Sequence, residues 1–244
     1  MVISSLENDK VKLLVKLSKK KYRDEVGLYL VEGDHIVSEA YKAGVVSYLV
    51  VLDGLQENYD CDKIIVSYEV LKKISNMDTP PSIMAVCRKV ENNTIIGSRI
   101  LLLDEIQDPG NLGTIIRSSL AFNIDTIILT EGTVDLYNSK VLRGTQGMIF
   151  HINIVSMKKS EVITYMRDNN IPIYGTSVVD GVDVSTLSKS DKNSFCLAMG
   201  NEGNGLSNDI FNACSKNLYI KINDKVESLN VGVACSILLY ELGR

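Results

Sequence analysis

From Gly97 onward one pattern recurs along the chain. A short aliphatic run with no polar alternation is followed by a longer stretch whose apolar residues fall at helical spacing. The runs lie at residues 100–103, 126–129, 150–155, 172–175, 195–199 and 218–220, and the helical stretches at 112–122, 141–146, 160–169, 207–214 and 229–242. Strands that are apolar on both faces belong in a sheet covered on both sides, and such sheets are built from parallel strands joined by crossover helices. The expected fold class is α/β, with a mostly parallel C-terminal sheet. Ligands of such sheets bind beyond the carboxyl ends of the strands, so the residues that carry chemistry are expected just after each aliphatic run.

The N-terminal part reads as a smaller α/β unit. Val11, Leu14 and Val15 recur at helical spacing, which predicts an amphipathic helix over 6–18. A strand at 28–31, a helix at 34–42 ending near Gly44, a strand at 45–52, a helix at 68–74 and a strand at 83–86 follow. Asp78-Thr79-Pro80-Pro81 is a turn, because consecutive prolines fix φ and remove donors. The polar stretch 88–93 reads as a linker, so the expected domains are 1–92 and 98–244.

Charge is unevenly spread. Lys10, Lys12, Lys16, Lys19, Lys20, Lys21 and Arg23 lie in one segment with no acidic residue among them. The other 19 Lys and Arg stand against 30 Asp and Glu, which leaves the rest of the chain at −11. A basic segment on an acidic protein suits phosphate binding, since each cation that neutralises a phosphate releases a condensed counterion. On charge alone a solvated helix face is the favoured reading, since many surface helices are lysine-rich.

Composition narrows the function classes. With 45% hydrophobic and 23% charged residues the chain can bury a sizeable core, and no apolar run approaches the roughly 18 residues that span a bilayer. No membrane partner is expected. The N-terminal stretch lacks an apolar signal core, so the expected compartment is the cytoplasm. Cys61, Cys87, Cys196, Cys214 and Cys235 form no CxxC pair, and His35 and His151 are the only histidines. Neither a metal site nor Ser/His/Asp catalysis is expected from that inventory.

Three stretches after aliphatic runs carry the polar residues. The first is Glu105-Ile106-Gln107-Asp108-Pro109-Gly110-Asn111-Leu112-Gly113, with Arg117 inside the following apolar helix. Asn111 is a candidate helix cap there, and Arg117, inside the otherwise apolar stretch 114–122, is expected to find an anion or several acceptors. The second is Gly200-Asn201-Glu202-Gly203-Asn204-Gly205, whose glycines permit close approach of a ligand to the backbone. Its spacing and its central carboxylate are not those of GxGxxG. The third is Glu227-Ser228-Leu229-Asn230, where Ser228 or Asn230 opens a small-residue final helix.

Taken together and in order, the three motifs resemble the SpoU (TrmH-type) RNA 2'-O-ribose methyltransferases of the SPOUT superfamily. The resemblance spans about residues 100–242, and the N-terminal run 8–40, with Lys-Lys-Lys-Tyr-Arg and Val31-Glu32-Gly33, is similar to the substrate-binding domain that often precedes that catalytic domain. It implies a C-terminal trefoil knot, which composition and periodicity alone argue against because knots are rare. It also implies S-adenosylmethionine as methyl donor, a structured RNA as substrate with ribosomal RNA favoured over transfer RNA, and a homodimer through the knot domain. By the same resemblance Asn111, Arg117, Glu202, Ser228 and Asn230 are the catalytic positions. Thr176, Gly200, Asn201, Gly205, Ile220, Ile222 and Leu229 would line the donor site, and the Lys10–Arg23 cluster would meet RNA. Arg117 is expected to clamp phosphate and developing oxyanion charge rather than to accept a proton, since a guanidinium stays protonated. The chain departs from the family pattern at Ile220-Lys221-Ile222 and Asp224, where Ile-Pro-Met and a later glycine are usual. A non-catalytic RNA-binding protein on the same scaffold is the alternative reading.

Overall fold

A computed structural model of the chain describes residues 2–177 and 181–243, which divide into two compact units. One comprises residues up to Val90 together with Asp135–His151; the other comprises Glu91–Val134 and the residues from Ile152 onward.

The first unit runs β1 (Val2–Ile3), α1 (Asp9–Lys16), α2 (Lys20–Val26), β2 (Leu28–Glu32), α3 (Asp34–Lys42), β3 (Val46–Leu52), β4 (Lys63–Val66), α4 (Tyr68–Ile74) and β5 (Ile83–Arg88). Its sheet has the order β1-β4-β3-β5-β2, parallel from β1 to β3 and antiparallel where β5 meets β3 and β2. The helix expected over 6–18 is shorter. Asn8 caps α1 by accepting from the Lys10 N–H, the chain leaves the helix at Leu17, and a separate helix begins at Lys20.

That break decides the fate of Arg23. The expectation that Arg23 is an RNA-facing cation is corrected by its burial: its guanidinium donates to the Leu17 carbonyl and pairs with the Asp135 carboxylate. A cation so engaged holds the α1–α2 corner instead of meeting a ligand. Lys10, Lys12, Lys16, Lys19, Lys20 and Lys21 are all exposed. Lys12 pairs with Glu7 and Lys20 with Asp24, surface contacts that a phosphate could displace.

The second unit opens with β6 (Arg99–Asp104), α5 (Pro109–Ala121) and β7 (Thr126–Leu129). The chain then contributes α6 (Ser139–Thr145) and the helical turn Met148–Phe150 to the first unit, where Tyr137, Leu142, Ile149 and Phe150 join the core of Tyr29, Val31 and Val37. It returns as β8 (Asn153–Ser156), α7 (Lys159–Asp168), β9 (Ile173–Thr176), β10 (Val182–Asp183), β11 (Phe195–Gly200), α8 (Asn208–Ala213), β12 (Lys216–Tyr219) and α9 (Val231–Gly243). The strand expected over 150–155 thus begins later.

All pairings in the second sheet, order β10-β12-β9-β11-β6-β7-β8, are parallel, as the unbroken aliphatic runs require. Ile100, Leu101, Leu102 and Leu103 of β6 are fully buried, each stabilising the fold by roughly 1.5–3 kcal/mol relative to exposure. Register matters most at the top of the sheet, where Gly200 of β11 stands opposite Asp104 of β6. The loops that follow these two strands, which carry the first two motifs, are therefore neighbours.

Candidate active site

The loop after β6 enters α5 through a cap that the sequence assigned to a different residue. Asp108, not Asn111, caps the helix: its carboxylate accepts the Asn111 N–H at 2.8 Å, with Pro109 in the first turn. Freed from capping, the Asn111 side chain is buried and turned toward the other two motifs. Its Nδ2 donates to Glu202 Oε1 at 2.9 Å, and its Oδ1 accepts from Asn230 Nδ2 at 2.9 Å. Asn230 in turn caps α9, its Oδ1 accepting the Gly232 N–H at 2.9 Å and the Val233 N–H at 3.3 Å. The relay Glu202–Asn111–Asn230 fixes all three amide and carboxylate orientations, because each oxygen faces a donor and each amide nitrogen an acceptor.

Glu202 also accepts the Gln107 and Asp108 backbone N–H groups, each at 3.1 Å. Burial pushes the Glu202 carboxyl upward, but the bonds from Asn111 and from the backbone N–H groups outweigh it and hold the group below the ordinary carboxylate range. It is an anion at neutral pH.

The second loop is a tight reversal, with Asn201 and Gly205 exchanging backbone hydrogen bonds at 2.9 Å. Gly200 is obligatory there: a Cβ on it would lie 2.2 Å from the Gly205 carbonyl carbon. Asn201 Oδ1 accepts the Gly203 and Asn204 N–H groups, and its Nδ2 donates to the Glu105 carbonyl at 2.9 Å.

Beside the relay lies a cavity of about 700 Å³. Thr176, Gly200, Asn201 and Gly205 line one part of it, and Ile220, Ile222 and Leu229 line another, so the structure gathers these seven positions around one space. Glu202, Ser228 and Asn230 also line it. Arg117 is not among the lining residues. It is exposed on α5 and its guanidinium takes part in no hydrogen bond or ion pair among the described residues, so the expectation of a guanidinium finding acceptors inside an apolar stretch is not met. Ser228, exposed at the cavity, likewise makes no hydrogen bond among the described residues. The motifs gave no role to Asp104 or Lys159, nor to Glu105, which opens the first of them. Only the strand-end position of Asp104 signals it in the sequence; Lys159 is invisible there, because its partners lie far back in the chain.

A cavity with apolar walls, exposed loop backbone and a rim carboxylate suits a nucleoside-like ligand that carries positive charge. Residues 98–240 match the description of the SpoU rRNA methylase family. The chain belongs to that family. Residues 8–85 match the MRM3-like substrate-binding domain. End to end, the chain is 36% identical over 245 residues to the 23S rRNA (guanosine(2553)-2'-O)-methyltransferase RlmP of Bacillus subtilis, covering 98% of both proteins. Among solved structures it superposes on an AdoMet-bound rRNA methyltransferase from Sinorhizobium meliloti with a TM-score of 0.89 and 26% identity, over 99% of this chain and 97% of that one. The SpoU methyltransferase AviRb of Streptomyces viridochromogenes, in complex with AdoMet, superposes with a TM-score of 0.86 and 25% identity over 97% of both chains. With SpoU membership comes the SPOUT fold, and the small α/β unit before the parallel sheet completes the expected architecture.

Proposed function

We propose that this SpoU protein transfers the methyl group of S-adenosylmethionine to a ribose 2'-hydroxyl of ribosomal RNA, with a guanosine of 23S rRNA as acceptor. The observation that carries this reading is the relay Glu202–Asn111–Asn230, which joins all three motifs at the edge of one cavity. The 23S guanosine rests on the end-to-end similarity to RlmP.

The donor, when bound, supplies an electrophilic methyl on a sulfonium. The chain's own work is to align an acceptor hydroxyl with it and to manage charge. Ile220, Ile222 and Leu229 offer apolar contact, and the strand-end and glycine-loop backbone at Gly200–Gly205 offers polar groups. Asn111, pinned from both sides, presents a fixed dipole near the transfer position, and Glu202 fixes Asn111. Arg117 is free to clamp an RNA phosphate and oxyanion charge developing on the acceptor. Ser228 is free to hydrogen-bond the ribose. Alignment of this kind supplies much of the rate of an in-line displacement.

RNA is gripped by the first unit through Lys10, Lys12, Lys16, Lys19, Lys20 and Lys21, with Tyr22 under the Lys16 ammonium at 5.3 Å as an aromatic among the cations. The homodimer forms through α9. Val233, Ile237 and Tyr240 recur on an exposed face of that helix, an apolar stripe that water disfavours. No helix among the described residues is long and apolar enough to cross a membrane, and we place the enzyme in the cytoplasm with its substrate.

Titration calorimetry with S-adenosylmethionine, followed by tritium-methyl transfer to 23S rRNA and to bulk transfer RNA, tests this function. Donor binding with label in 23S rRNA at a guanosine ribose is the expected outcome. Label confined to transfer RNA overturns the substrate, and absent donor binding favours a non-catalytic RNA binder.

A further inference from the structure

At the carboxyl end of β6 lies a charge cluster, built on a buried carboxylate, that the relay does not use. The Asp104 side chain is 1% exposed, and its Oδ2 accepts the Ser207 N–H at 2.8 Å. Its Oδ1 faces Thr130 Oγ1 at 3.2 Å and Lys159 Nζ at 3.1 Å. Lys159, the first residue of α7, also reaches Glu105 Oε1 at 2.5 Å. Burial acts to discharge the Lys159 ammonium, but its bonds to Glu105 and Asp104 prevail and keep it charged. Glu105 itself sits at φ +61, in the left-handed region that a non-glycine residue adopts only when its surroundings impose it. Here they do: its N–H donates to Thr130 Oγ1 at 3.1 Å, its carboxylate holds Lys159, and its carbonyl accepts from Asn201 Nδ2 at 2.9 Å.

Two bonds therefore tie the end of β6 to the glycine loop, and they bracket it. Glu105 O takes Asn201 at the start of the reversal, and Asp104 takes the Ser207 N–H just beyond its end. Between these anchors lie Glu202, which orients Asn111, and the 203–206 stretch that lines the cavity. Among the described residues Lys159 is the one cation in contact with both carboxylates.

We infer that Asp104 and Lys159 are positioning residues for the methyl-donor site: the ion pair on the buried Asp104 carboxylate holds the strand end and, through Ser207 and Glu105–Asn201, sets the shape of the glycine loop against which the donor binds. This rests on the proposed use of the cavity for S-adenosylmethionine. Removing the ammonium leaves a buried carboxylate uncompensated, so the cluster must rearrange or take up a proton. The loop then loses an anchor while the sheet keeps its aliphatic core.

The test compares Lys159→Met and Lys159→Arg in the full chain. Lys159→Met, which removes the charge-assisted contacts to both carboxylates and loosens the loop, is expected to weaken S-adenosylmethionine binding about tenfold and to raise the donor KM more than it lowers kcat. Lys159→Arg, which keeps the charge, is expected to recover affinity to within about threefold of the parent. Amide hydrogen exchange over Gly200–Ser207 should quicken about tenfold in Lys159→Met and return in Lys159→Arg, a readout that needs no donor and stays decisive if the parent protein binds none. Should Lys159→Met fail to fold, Glu105→Gln, at a half-exposed side chain, takes its place with the same direction of change. Unchanged donor affinity and loop exchange in a folded Lys159→Met protein overturn the inference. So does a loss that falls equally on donor binding, RNA binding and the exchange of the whole sheet, because it marks a merely structural role.

Discussion

Asn111 and Arg117 stand on the same helix, and the fold treats them in opposite ways. Asn111 is buried and bonded through its backbone N–H and both side-chain polar atoms, whereas Arg117 is exposed and unpaired among the described residues. In the proposed reaction a group held this tightly serves by being fixed, and the unpaired guanidinium is left to meet the RNA. Arg117→Ala is accordingly expected to lower kcat by a hundredfold or more, ~3 kcal/mol of transition-state stabilisation, while donor affinity measured by calorimetry stays near the parent value. Turnover within a few-fold of the parent would remove Arg117 from the reaction. Glu202 makes a prediction in pH. Its carboxyl lies below the ordinary range, so the stability it contributes is fully present above its unfolded pKa and is lost as pH falls through its folded pKa. A carbon-13 titration of the Glu202 carboxyl should show a midpoint below that of a free glutamate, moving upward in Asn111→Ala. A midpoint already at the ordinary value in the parent would contradict the relay.

At the scale of elements, the site depends on two strand ends standing in register, β11 at Gly200 against β6 at Asp104. The glycine loop then folds back so closely that no side chain fits at Gly200. Gly200→Ala is expected to push the 201–205 reversal away from the strand end and to weaken donor binding at least about tenfold, with thermal stability falling by a few degrees. An unchanged Kd would show that the cavity wall tolerates the displacement. The glycines of the second motif suggest a close approach, but what approaches is the loop's own backbone as well as any ligand, and periodicity cannot distinguish these.

For the whole molecule, the proposed substrate grip and the proposed chemistry fall in different compact units. Charge reversal of Lys19, Lys20 and Lys21 to Glu should weaken rRNA binding and flatten its dependence on salt, since the slope counts released counterions at roughly 0.7–0.9 per phosphate contact. Donor affinity should not change, and an unaltered salt slope would refute the footprint. Arg23 does not belong in that series, because its pairing with Asp135 ties the α1–α2 corner to a chain segment far along the sequence. Assembly is tested on α9, where Ile237→Asp together with Tyr240→Asp should shift sedimentation from dimer to monomer. A monomeric parent protein would remove the α9 interface.

Much of this was legible in the residues alone. Unbroken aliphatic runs determine a parallel sheet, since only a strand covered on both faces tolerates them, and three ordered motifs, through their resemblance to the SpoU family, imply the reaction class. What the sequence could not contain is which partner each polar side chain finds. Asp108 rather than Asn111 caps α5, Arg23 is buried by an acid from the far side of the chain, and Lys159 joins a strand end that precedes it by two β-strands and two helices. Hydrophobic periodicity is a local property, written within a few residues of where it acts. Hydrogen bonds and ion pairs at a site join residues that meet only after the strands have taken their order, so the tertiary structure alone decides them.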